Sequence, residues 1–233
     1  MISRCGLMRR KDGMGMEEFR DYWLNVHGPI ASAMSNLRQY DQHVVVGREH
    51  RHPLSEGLVH IDGYSELQFD SYGDMLEGVA SLNGKGANDV PMFANPHCPI
   101  LVLAKRSVIK VPEYLRGKRL VKRVSFLGRA EGVSSDRFVK EWWNVHDRLV
   151  QTIPGCVGYN QGLVIDRIDG GASVSYDSLP VEGVAELWFE APEALDEFYA
   201  SPEFARASAH SAEFVGAVSA YLIETYPVVA PSA

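Results

Sequence analysis

One sequence pattern occurs twice in this chain, and the repeat constrains the fold more than any other feature. Residues 19–48 and 138–167 align at an offset of 119 without a gap. Their identical positions are Phe19 and Phe138, Trp23 and Trp142, Asn25-Val26-His27 and Asn144-Val145-His146, Tyr40 and Tyr159, Gln42 and Gln161, Val45 and Val164, and Arg48 and Arg167. We predict two copies of one unit, residues 1–106 and 121–233, joined by a linker at 107–120.

Each copy shows the same order of hydrophobic patterns. In the first copy they predict strands near residues 3–10, 39–48, 63–70 and 98–106, with helices over 16–35 and 72–82. The second copy repeats these elements, with a further helical stretch at 204–215. The order β-α-β-β-α-β is that of a ferredoxin-like unit, so the fold class is α+β. Because one unit leaves a sheet face bare, we predict two sheets packed face to face, with a ligand cavity between them.

Composition excludes several partners and compartments. The net charge of −7 disfavours nucleic acid, which needs a basic surface. No apolar run is long enough for a membrane span. Three cysteines without paired spacing, and an N-terminus without a signal-peptide core, indicate a cytoplasmic protein. The sequence also lacks phosphate-loop, dinucleotide, nucleophile-elbow and zinc motifs, so we expect no metal and no cofactor.

The repeated histidine is the strongest candidate for chemistry. Phe19, Trp23 and His27 form one stripe on a helix, and the histidine is expected at the helix C-terminus, before Gly28-Pro29. A helix C-terminus favours imidazolium and burial favours neutral imidazole, so the pKa could lie near 7, as a general acid–base requires. His27 and His146 are therefore the candidate catalytic residues. The alternative is a buried histidine that only bonds to the backbone.

Neighbouring polar and aromatic residues are candidates for substrate binding. Tyr and Gln two residues apart share one face of a strand and could bond a carbonyl or phenol, although a structural role is equally consistent. The proposed substrate-binding residues are Tyr22, Trp23, Asn25, Tyr40, Gln42, Trp142, Asn144, Tyr159 and Gln161. Glu66 and Glu186 are repeated carboxylates that either face solvent, orient a histidine or pair with Arg48 or Arg167. The histidine-rich segment 48–52 is interpreted as a solvated loop or a lid over a pocket rather than a metal site.

The first helix resembles that of the EthD family, in the dimeric α+β-barrel superfamily. Phe19, Tyr22, Trp23, His27 and Pro29 supply its F-x-x-Y-W-x-x-x-H-x-P pattern. In the second copy Phe138, Trp142 and His146 agree, whereas Glu141 and Arg148 replace the Tyr and Pro. If only one copy is active, this difference favours His27. The resemblance implies a covalent pseudo-dimer, with a homodimer of that chain also possible.

The resemblance also implies a class of chemistry. Relatives act without cofactors as isomerases, decarboxylases and dehydratases, and more distant ones as quinol-forming monooxygenases or haem-binding proteins. We expect an isomerase or lyase in aromatic catabolism or a secondary-metabolite pathway. Its substrate would be a small aromatic, lactone or polyketide-like carbonyl compound, undergoing isomerisation, dehydration, cyclisation or decarboxylation. The alternatives are a non-catalytic binding protein for apolar metabolites and a monooxygenase of the same superfamily.

Overall fold

A computed structural model describes residues 1–57 and 59–230. The first copy contains β1 (Ile2–Met8), α1 (Met16–Tyr22), a π-helical turn (Trp23–His27), α2 (Gly28–Ser32), β2 (Gln39–Arg48), β3 (Ser55–Glu56), β4 (Gly63–Phe69), α3 (Tyr72–Ser81), α4 (Lys85–Asp89), a 3-10 turn (Val90–Met92) and β5 (Ile100–Ile109). After a 3-10 turn (Glu113–Leu115), the second contains β6 (Val121–Arg129), α5 (Ser135–Glu141), a π-helical turn (Trp142–His146), α6 (Asp147–Val150), β7 (Cys156–Asp169), β8 (Ala172–Ser173), β9 (Gly183–Phe189), α7 (Pro192–Ala200), α8 (Pro202–Ser211) and β10 (Val215–Val229).

The two copies form one closed barrel. Each contributes four antiparallel strands, in the order β2-β4-β1-β5 and β7-β9-β6-β10. Antiparallel pairing of β5 with β7, and of β10 with β2, joins the sheets at both edges. Closure pairs the N–H and C=O groups that an open four-stranded sheet would leave at its edges. The predicted α+β barrel of two ferredoxin-like units within one chain is therefore confirmed.

The expected position of the repeated histidine at a helix C-terminus is wrong. The helix continues past the histidine, to Ser32 in the first copy and to Val150 in the second. The histidines therefore lie within a helix, and the proposed effect of a helix C-terminus on their pKa does not apply. Strand β5 continues to Ile109, three residues into the segment expected to be a linker, because those residues pair with β7. None of the described helices is long and apolar enough to cross a membrane.

Side chains of both copies fill the space between the sheets. Tyr64 from one copy meets Phe126 from the other edge-on, with ring centres 5.9 Å apart, and Tyr221 lies beyond Phe126. All three are buried, as are the aliphatic residues around them. The predicted ligand cavity between the sheets is therefore wrong, because aromatic residues from facing strands occupy that volume.

A buried ionic network also lies between the sheets. Lys105 Nζ bridges the repeated glutamates, 2.6 Å from Glu66 Oε1 and 2.5 Å from Glu186 Oε2. Lys122 Nζ lies 2.7 Å from Glu186 Oε1, and His43 Nε2 lies 3.3 Å from Glu66 Oε2. The glutamates therefore face inward rather than outward. Of the predicted contacts, the one with a histidine is observed, for Glu66. The predicted pairs with arginine are not, because Arg48 pairs with Glu56 and Arg167 pairs with Glu182.

The repeated Tyr–Gln pairs have a structural role at the π-helical turns. Gln42 Nε2 donates to Trp23 O at 2.9 Å and to Tyr40 Oη at 2.8 Å. Gln161 makes the same bonds to Trp142 O and Tyr159 Oη, each at 2.9 Å. The pairs thus bond a carbonyl, as predicted, but it is that of the main chain rather than of a ligand. This explains why Trp, Tyr and Gln recur together.

The two glutamines should contribute unequally to stability. Gln161 Oε1 accepts two bonds from Arg106, whereas Gln42 Oε1 has no partner among the described residues. We expect Gln161→Leu to lower the free energy of unfolding by about 1.5–3 kcal/mol more than Gln42→Leu, because hydrogen bonds to charged groups contribute that much. Urea unfolding of the two matched variants measures the difference. Equal losses would contradict a role for the Arg106 bonds.

Candidate functional site

A cavity of about 70 Å³ lies in the second copy, between its sheet and its helices. Since one water molecule needs about 10–15 Å³, the cavity has room for several waters or a small organic group. Its apolar wall includes Leu187, Phe198, Phe204 and Phe214, and its polar groups include His146 and Arg123. Such an apolar cavity with few polar groups is typical of a small-molecule site.

His146 is held in the cavity wall by the π-helical turn. Its Nδ1 lies 3.3 Å from His210 Nδ1, on α8, and the two rings are nearly parallel. Its Nε2 has no hydrogen-bond partner among the described residues. Burial, and then the neighbouring His210 and His52, lower the pKa of His146 to about 3. At neutral pH the ring is therefore uncharged and able to accept a proton.

A carboxylate fixes the second histidine of this pair. His210 Nε2 lies 3.4 Å from Glu141 Oε2. An ionised carboxylate favours a proton on the facing ring nitrogen, His210 Nε2, which would leave His210 Nδ1 as an acceptor. In that arrangement His146 donates from Nδ1, and its lone pair is on Nε2.

The first copy builds a different cluster at the same positions. His27 Nδ1 bonds directly to Asp89 Oδ2 at 2.9 Å, and Tyr22 Oη donates to Asp89 Oδ1 at 2.9 Å. His27 is only 7% exposed, and the Phe93 ring centre lies 5.0 Å from its own. Burial lowers the pKa of His27, although the bond to Asp89 opposes that shift. The two copies therefore share a tautomer, but the cavity described above belongs to His146.

A loop from the first copy closes the cavity of the second. His52 and Leu54 line it, and His52 Nε2 lies 3.5 Å from Ser208 Oγ on α8. Arg51 anchors the loop, with Nη1 2.5 Å from Asp196 Oδ1 on α7. Burial, and then the charges of Arg123 and His50, lower the pKa of His52 to about 4. The loop is thus a lid over a pocket, the second of the two interpretations offered for segment 48–52.

The structure brings together only part of the predicted site. Trp142, His146 and Tyr159 line the cavity. Trp23 and Tyr40 are fully buried in the other copy, and Tyr22 bonds to Asp89. None of Asn25, Asn144, Gln42 and Gln161 lines the cavity: the asparagines are exposed, and the amide nitrogens of the glutamines donate to main-chain carbonyls.

The sequence analysis did not identify His210 and Arg123 as site residues. One signal was available, since Tyr22 and Asp89 become Glu141 and His210 at offsets of 119 and 121. Both members of a contacting pair change together, from a phenol and a carboxylate to a carboxylate and an imidazole. His52 lies in the segment interpreted as a loop or lid, but the sequence did not indicate which pocket it reaches.

Another group of side chains has ligand atoms close enough for a metal ion. Atoms of His43, Glu66 and Glu186 all lie within 4.8 Å of one another. Lys105 and Lys122 already occupy the carboxylates, however, and their two positive charges balance the two negative ones. A divalent cation would have to displace a lysine, so the residues present do not fit a metal site.

Comparison with known proteins identifies the unit that is repeated. The EthD domain model matches residues 11–97 and again residues 130–217. The two matches correspond to the two halves of the barrel. No curated protein sequence matches the chain.

Solved structures share the fold over the whole chain. An anthrone oxidase-like protein superimposes with a TM-score of 0.65 at 8% identity, covering 100% of this chain and 95% of that one. A proposed monooxygenase from Fusobacterium nucleatum subsp. nucleatum ATCC 25586 gives 0.59 at 7% identity, covering 100% and 95%. Another, from Lactobacillus acidophilus NCFM, gives 0.54 at 12% identity, covering 96% and 92%. At these identities the likeness establishes the fold alone.

Proposed function

The chain belongs to the EthD family, with the domain present twice, and on that premise we propose that it is an enzyme whose active site is the cavity of the second copy. His146 is the general base, and His210 and Glu141 are positioning residues. The observation that carries this proposal is a buried histidine that contacts a second, carboxylate-paired histidine and lines an apolar cavity.

The proposed reaction begins with proton transfer next to a carbonyl group. His146 Nε2 takes a proton from the carbon beside the carbonyl, and the electrons of that C–H bond form the enolate. Negative charge on the enolate then stabilises the new imidazolium, whose Nδ1–H remains bonded to His210. The lowered pKa of the free ring keeps it unprotonated but also makes it a weak base, so the proposed step requires the negative charge of the forming enolate to raise that pKa. The step uses only side chains of this protein and needs no cofactor.

The lining defines the kind of substrate. Phenylalanine and leucine side chains favour an apolar or aromatic body, and the small volume favours one ring. His146 can return the same proton to another atom of the enolate in an isomerisation, and the lid places His52 in the same cavity. A second candidate, monooxygenation, shares the enolate-forming step, and it is supported by the names of two proteins that share the fold.

The repeat supplies a matched control for testing His146. We expect the wild-type protein to accelerate the exchange of α-protons for deuterium in γ-butyrolactone or 2-indanone dissolved in D₂O. In His146→Gln the rate should fall to that of buffer, because the base is lost, whereas His27→Gln should retain most of it. Proton NMR measures the exchange. Equal rates for His146→Gln and the wild type would refute the role of His146.

Oxygen uptake, measured in the same samples, distinguishes proton-transfer chemistry from monooxygenation and from ligand binding without chemistry. Consumption of oxygen that depends on His146 would assign the monooxygenase reaction. Binding of the probes without exchange or oxygen uptake would identify a carrier of apolar metabolites.

A further inference from the structure

Arg123 is a buried cation without a counter-ion. It lies at the centre of β6 on the face toward the helices, lines the cavity and is 6% exposed. Its Nη1 donates to Ser125 Oγ, and its Nε has no hydrogen-bond partner. Within 4.0 Å of the guanidinium there is no carboxylate oxygen from residues 1–57 or 59–230. The cavity thus contains one charge that the chain leaves uncompensated.

Two other buried cations of this barrel are paired, whereas Arg4, the equivalent of Arg123 in the first copy, likewise has no carboxylate contact among the described residues. Lys122, the preceding residue on the opposite face of β6, contacts Glu186, and Arg167 contacts Glu182. Burying an ion without a partner is strongly unfavourable, so such a group usually binds a ligand of opposite charge. The Arg123 guanidinium lies 5.7 Å from the ring centre of Tyr199. That contact offsets part of the cost but supplies no negative charge.

We propose that the ligand of this cavity carries a carboxylate, which Arg123 binds. The proposal rests on the proposed function and narrows its substrate class to small apolar carboxylic acids that also have a carbonyl group. A guanidinium can bind a carboxylate through two parallel hydrogen bonds, and the unpaired Nε is one of the donors available. Ser125 and the unpartnered Tyr199 hydroxyl lie beside it. The carboxylate fixes one end of the ligand, and the remainder extends among the phenylalanines toward His146.

The first copy again supplies a control. Arg4 occupies the equivalent position at an offset of 119, on β1. It is half-buried and lies in the other half of the barrel, away from the cavity that contains His146. Replacing Arg4 therefore removes the same side chain without touching the proposed carboxylate site.

Matched acids and amides test the charge requirement. Acetate, crotonate and benzoate would be titrated into the full-length protein, each against its own amide, by isothermal calorimetry. We expect at least one acid to bind the wild type at least tenfold more tightly than its amide. Arg123→Gln should lose that preference, and Arg4→Gln should retain it. The proposal is overturned if no acid is preferred, or if Arg123→Gln keeps the preference.

Thermal unfolding distinguishes a binding role from a structural one. If Arg123 is retained for ligand binding, Arg123→Met removes an unfavourable buried charge, and Tm should rise by about 2–4 °C. A fall in Tm would indicate that Arg123 stabilises the fold, and would count against the proposal. The deuterium-exchange assay with His146→Gln reports separately on the proposed function. Either conclusion can therefore fail while the other stands.

Discussion

Lys105→Met is expected to lower the free energy of unfolding by about 3–5 kcal/mol at pH 7. Lys105 Nζ contacts Glu66 and Glu186 at once, and both carboxylates are almost completely buried. Without it, Lys122 still contacts Glu186, but Glu66 has no lysine contact among the described residues, and two buried negative charges face one positive charge. Because β5 and β9 belong to different copies, the substitution also removes an ionic contact between the halves of the barrel. Urea unfolding measures the loss.

A second substitution should restore part of this stability. In Lys105→Met with Glu186→Gln, one negative charge and one positive charge remain, so the network is again balanced. We expect the double variant to be more stable than Lys105→Met alone. Lys85→Met, at an exposed position of α4, serves as the control and should change the free energy of unfolding by less than about 0.5 kcal/mol. Single and double variants of equal stability would show that charge balance is not what the network contributes.

Acidification from pH 7 to pH 5 is expected to lower the free energy of unfolding by about 5–6 kcal/mol, from three histidines. Burial, followed by the charge of Lys122, lowers the pKa of His43 to about 4; burial, followed by the charge of Arg123, lowers that of His52 to about 4; and burial lowers that of His146 to about 3. Between pH 6.5 and those values the unfolded chain binds protons that the folded protein does not. Stability therefore falls as pH falls, by about 2 kcal/mol for each histidine.

Glutamates do not explain a loss in this range. The pKa of Glu186 is lowered to about 2, against the effect of burial, by Lys105 and then Lys122. A carboxyl group whose pKa is lowered in the folded protein contributes stability at pH values above its ordinary pKa. That stability is lost only as the pH falls toward 2. Urea unfolding at pH 7 and pH 5 should show about two thirds of the wild-type difference in stability for His146→Gln, because His43 and His52 remain. His97→Gln, an exposed control, should show all of it. An unchanged difference in His146→Gln would contradict the prediction.

The sequence was sufficient to predict the fold because the repeat and the hydrophobic periods agree. Strand β2 was predicted at its observed limits, residues 39–48. The π-helical turns were not predictable from a period of 3.6. They depend on Gln42 and Gln161, which lie on distant strands and bond to carbonyls of the turn.

The site was less predictable, because it depends on which volumes side chains leave empty. Sequence motifs favoured the first copy, where Tyr22 precedes Trp23 and Pro29 follows the histidine. In the structure the cavity lies beside His146, and Phe93 packs against His27. Equivalent phenylalanines exist in both copies, since Phe93 corresponds to Phe214, so the difference arises from helix placement rather than composition. Burial also outweighed every effect expected to keep a histidine pKa near 7.

Joining both halves in one polypeptide has a consequence for how the lid can evolve. In a pair of identical subunits, every substitution in one subunit also appears in the other, and a residue that improves one pocket must be tolerated in both. Here the lid that carries His52 is encoded in the first half, whereas the pocket that it covers is encoded in the second. A mutation in the lid therefore alters a single pocket. Selection can specialise one half for chemistry while the other retains only the residues that keep the barrel closed.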